Sequence, residues 1–131
     1  MCLEVTIKLS QHAKTGVGAE RLAAASGLTV VKGQSNLGSC LHLSSGGPCS
    51  CDLLAKGQPQ DKDHWVLSEA AAESLSRAVR FVSKEAKSFT FQARWLGEQI
   101  HEPRRMKTTA LAEAVSSNRV PKNLPVLVGT H

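Results

Sequence analysis

Cys40, His42, Cys49 and Cys51 fall within one short segment, Cys40-Leu41-His42-Leu43-Ser44-Ser45-Gly46-Gly47-Pro48-Cys49-Ser50-Cys51, where the chain's soft ligands concentrate. Both outer pairs are spaced i, i+2, and Gly46-Gly47-Pro48 reads as a turn between them. An antiparallel hairpin that sets His42 opposite Cys49 sets Cys40 opposite Cys51, and all four side chains then leave one face. Opposed Cβ atoms in such a pair lie about 5 Å apart, so three sulfurs and an imidazole could converge on a structural Zn²⁺. The spacing argues against that outcome. Zinc knuckles use Cys-x₂₋₄-Cys turns, whereas Cys-x-Cys on a strand sends its sulfurs out in parallel. Thiol or redox chemistry at an accessible thiolate is the other reactive reading. The plainer one makes Cys40 and Cys51 small buried hydrophobes and His42 an ordinary sheet residue. A cysteine nucleophile served by His42 or His64 is formally available at Cys49 or Cys51.

Other groups carry weaker signals. Arg77, Arg80, Lys84 and Lys87 share one side of a helical pattern, and Arg104-Arg105-Met106-Lys107 forms a second basic run. Together they are candidates for contact with nucleic acid or an acidic partner; a solvated helix face with Glu73 and Arg77 paired at i, i+4 explains the first group equally simply. Phe89, Phe91 and Trp95 have the spacing of base-stacking aromatics but lack the basic-glycine-aromatic run such a sheet requires, so a core face is expected. Ser44-Ser45-Gly46-Gly47 could form an anion-binding backbone nest, although a plain turn suffices. Trp65 is expected to anchor the entry to a helix. His12 and His101 stand alone. No nucleophile elbow, zinc-protease helix or dinucleotide fingerprint occurs.

The elements that must hold these groups follow from periodicity. Leu3, Val5, Ile7 and Leu9 alternate with Glu4, Thr6 and Lys8, which predicts a half-buried strand. Ala19 to Ser26 is rich in helix formers and stops at Gly27. Leu28 to Lys32 and Cys40 to Leu43 read as strands, and Cys49 to Leu54 as a doubtful one. Ser68 is an N-cap for a long helix whose apolar stripe is Ala71, Leu75, Ala78, Val79, Val82 and Ala86. Ser88 to Leu96 alternates as a strand, 97 to 107 reads as a loop, Leu111, Ala112 and Val115 belong to a short helix, and Leu124 to Val128 closes as a strand. This order predicts an α+β fold: a mixed or antiparallel sheet of four to six strands, with one long and one or two short helices on one face, in split βαβ-like order.

A chain of 131 residues fits a single domain spanning 1–131. Its net charge of +5 permits an acidic partner without requiring one. Met1-Cys2-Leu3-Glu4-Val5 lacks a secretory pattern, and no apolar run is long enough for a membrane span, so a cytoplasmic setting with reduced thiols is expected. The reading that follows is a non-catalytic binding or regulatory module with a metal-binding or redox-sensitive thiol hairpin. The alternatives are a basic-face interaction module, or a small-molecule enzyme with its site in loops 55–65 and 97–107. Pairing of exposed strand edges offers a route to a homodimer.

Overall fold

Strand β1 (Leu3–Ser10) is the axis around which the computed structural model is built. Residues 3–10, 18–33, 38–46, 50–55, 64–86, 88–95, 104–121 and 126–129 are described. After β1 come α1 (Ala19–Ser26), β2 (Thr29–Gly33), β3 (Gly38–Ser44), a 3-10 turn (Ser50–Leu53) and β4 (His64–Val66). Then follow α2 (Glu69–Glu85), β5 (Ser88–Trp95), β6 (Arg104–Lys107), α3 (Thr108–Ser116), β7 (Arg119–Pro121) and β8 (Val126–Gly129).

Six strands form one sheet in the order β2-β3-β1-β5-β8-β6, and β4 pairs with β7 in a small separate ladder. Neighbours in the large sheet are antiparallel except β6 and β8. Since β3 is antiparallel to both β1 and β2, those two run parallel with β3 between them. That is the split βαβ arrangement, with α1 as the crossover, and the α+β class is as expected.

The helices end and pack as their residues dictate. Gly27 closes α1 in the left-handed region at φ 78°, donating its N–H to the Ala23 carbonyl. The Ser68 hydroxyl accepts from the Ala71 N–H at 3.2 Å and caps α2. The whole apolar stripe of α2, including Leu75, Val79 and Val82, is buried. It packs in a hydrophobic cluster with Leu3, Val5, Ile7, Leu41, Leu43, Phe89 and Phe91, so these strand residues mark the helix-covered face. Phe89 and Phe91 therefore serve the core; the side chain of Trp95 lies outside the described residues. Trp65 is buried on β4, in a strand where a helix lead-in was expected.

Two further expectations fail. Residues 104–107 form an edge strand where a loop was read, and 50–53 wind into a 3-10 turn where a strand was read. The second failure has a clear cause. Both hydrogen-bonding edges of β3 are occupied, by β1 over Val5–Ser10 and by β2 over Thr29–Gly33. No edge is left for a strand following the Ser45-Gly46 bend.

Candidate functional site on the helix-free sheet face

The alternation that sends Leu41 and Leu43 into the core sends Cys40, His42 and Ser44 to the opposite face. On β1 the same rule turns Glu4, Thr6 and Lys8 to that face, and on β5 it turns Thr90 and Gln92 there. The register then fixes neighbours. Thr6 stands between His42 and Gln92, and Lys8 between Cys40 and Thr90.

His42 is the hub. Its Nε2 lies 3.9 Å from Cys40 Sγ, and its Nδ1 lies 4.0 Å from Glu4 Oε2. A thiol and a carboxylate thus address the two nitrogens of one imidazole. With a proton on Nδ1, facing Glu4, the ring presents a basic Nε2 to the thiol. The first is a long contact for a sulfur hydrogen bond, and the second is an ion-pair separation longer than a formed hydrogen bond. Cys40 is 7 % exposed, and its burial raises the thiol pKa; the Lys8 charge opposes that shift and the Glu4 charge adds to it. Burial therefore favours the neutral form of this thiol.

Thr6 is fully buried, and its Oγ1 has no hydrogen-bond partner among the described residues. Gln92 beside it is 3 % exposed. Val31, the register partner of His42 on β2, is 58 % exposed and is the exposed large apolar side chain among the described residues. Sulfur, imidazole, carboxylate, ammonium, hydroxyl and amide thus share one face of the sheet.

Of the four-member cluster expected from the sequence, the described members Cys40, His42 and Cys51 do not share a hairpin. Cys40 and His42 are brought together. Cys51 lies on the 3-10 turn, where its Sγ accepts the Leu3 N–H at 3.1 Å. Cys40 is registered with Lys8, so the two sulfurs are separated by the length of β1 from Leu3 to Lys8, roughly 16 Å. Cys49 lies outside the described residues. Among the described residues, no group of three or more His, Cys, Asp or Glu side chains is placed to hold a metal ion. His64 sits on β4, in the other ladder.

The expected nest around Ser44–Gly47 is occupied by the chain itself among its described residues. The Ser45 N–H donates to Asp52 Oδ1 at 3.0 Å, and the Gly46 N–H to Ser44 Oγ at 3.3 Å. The basic residues divide. Arg77 pairs with Glu73 one turn away. Arg80 lines two clefts between α2 and α3, of about 470 and 310 Å³, the second shared with Lys84. Glu69 and Glu73 line the first and Glu113 the second, so acidic and basic groups interleave. Arg104 and Arg105 lie on β6 and point to opposite sheet faces; Lys87 lies outside the described residues.

Sequence reasoning missed Glu4, Thr6, Lys8 and Gln92 as members of the site. Their orientation is visible in the strand alternation, but their juxtaposition with Cys40 depends on strand order. No protein-family model matches the chain, and no curated protein or solved structure does so either. No helix among the described residues is long and apolar enough to cross a membrane.

Proposed function

We propose that this chain is a binding or regulatory module whose working group is the Cys40 thiol, activated by His42 and steadied by Glu4. The observation that carries this reading is the placement of Cys40 Sγ and Glu4 Oε2 on opposite nitrogens of the same imidazole. His42 takes the thiol proton as sulfur attacks a soft electrophile, and Glu4 supports the charged ring that results. Cys51 contributes structure, because its sulfur is committed to the Leu3 amide. The α2 face supports a partner site less well, since carboxylates interrupt its cations.

The test is timed alkylation with iodoacetamide, read peptide by peptide by mass spectrometry. His42→Ala slows labelling of Cys40 by roughly tenfold or more, a modest general-base effect, and leaves Cys51 labelling unchanged. Equal Cys40 rates in the two proteins overturn the proposal.

A further inference from the structure

The face around Cys40 is polar in a directed way. One register row reads Gly33, Cys40, Lys8, Thr90 across β2, β3, β1 and β5. The adjacent row reads Val31, His42, Thr6, Gln92. Glu4 lies beyond that second row on β1 and Lys8 lies in the first. Glu4 and its register partner Arg94 thus mark one end of the site and Lys8 the other, with the thiol on the Lys8 side. The Cβ atoms of directly opposed residues such as Cys40 and Lys8 lie about 5 Å apart, within reach of a long flexible ammonium stem. Lys8 is exposed and makes no ion pair among the described residues.

Resting on the assignment of Cys40 as the reactive thiol, we propose that this site takes a small electrophile bearing a carboxylate, which is seated on the Lys8 ammonium while its reactive carbon meets Cys40. Three observations beyond the thiol and the imidazole support a ligand here. The fully buried Thr6 Oγ1 lacks a partner among the described residues, in the position beside His42. Gly33, the β2 register partner of Cys40, contributes no side chain to that flank. Val31 supplies an exposed apolar patch next to His42. The slight exposure of Cys40 limits the ligand to a small molecule. A single ammonium matches a monoanion, whereas phosphate is usually held by several donors or a guanidinium fork.

The covalent step balances simply. The Cys40 S–H proton passes to His42 Nε2. The sulfur electron pair forms the S–C bond as the bond from carbon to the leaving group breaks, and that group departs with its electron pair.

Iodoacetate and iodoacetamide separate charge from reactivity, because both place the same methylene on sulfur and expel iodide. The rate ratio of iodoacetate to iodoacetamide at Cys40 should exceed that of a small thiol in solution by about fivefold, and should fall as salt is added. Lys8→Gln should return the ratio to the small-thiol value, whatever change both rates share. Labelling of Cys40 with the same ratio in wild type and Lys8→Gln overturns the carboxylate preference and leaves the reactive thiol standing. Failure of both reagents to label Cys40 in the folded protein overturns both.

Discussion

Cys40 is a buried thiol beside an imidazole. Burial favours the neutral S–H, which holds the pKa above the ordinary thiol range. The unfolded chain, lacking that burial, ionises first as pH rises. The stabilising effect of the neutral thiol is therefore complete below the ordinary thiol pKa and is lost as pH climbs through the raised one. Urea midpoints measured at pH 7 and pH 10 should fall further for wild type than for Cys40→Ala; equal falls would show that the thiol does not carry this linkage. At this scale much was legible in the sequence. The alternation of Leu41 and Leu43 with Cys40 and His42 announces a polar side, as does Glu4, Thr6 and Lys8 against Val5 and Ile7. What it does not announce is which two strands share that side. Cys51 drew attention by proximity in the chain, and such proximity is a poor guide when the chain bends at Ser45-Gly46 and winds into a 3-10 turn.

The 3-10 turn explains why the expected hairpin gives way. Ser50 is buried, and its hydroxyl accepts the Val5 N–H at 2.9 Å while donating to the Leu43 carbonyl at 2.5 Å. It bridges β1 and β3 where their ladder ends. Ser50→Ala leaves a buried donor and a buried acceptor without their partner and should cost about 2–4 kcal/mol in urea unfolding, with faster hydrogen exchange at the Val5 amide. A loss below about 0.5 kcal/mol would mean that the bridge contributes little. Helix α2 is the opposite case: a capping serine and a regular apolar stripe make it readable before any coordinates. Strand β6 was unreadable because both its faces are mostly exposed; Arg104, Arg105 and Lys107 give no alternation to detect.

Among the described residues of the whole molecule, the large sheet separates the apolar core from a polar cluster. One face holds the helices and the apolar cluster, and the other holds the thiol, the imidazole and the charges. Leu75→Ala should therefore lower stability by about 3 kcal/mol through lost core contacts, yet leave the effect of His42→Ala on Cys40 alkylation unchanged in buffer without denaturant. If that effect vanished, the two faces would be coupled through the strands. The α+β class followed from the order of periodic segments. The strand order β2-β3-β1-β5-β8-β6 did not, because it is decided by long-range pairing that leaves little local imprint.

The position of β1 between β3 and β5 has a practical corollary. Glu4 and Lys8 arrive on one strand, Cys40 and His42 on a second, and Gln92 on a third, so the constellation exists only while all three are zipped together. A molecule in which β1 has peeled away keeps its cysteine but forfeits its tuned surroundings. The proposed charge selectivity of Cys40 would then serve as a built-in gauge of how often the middle of the sheet opens.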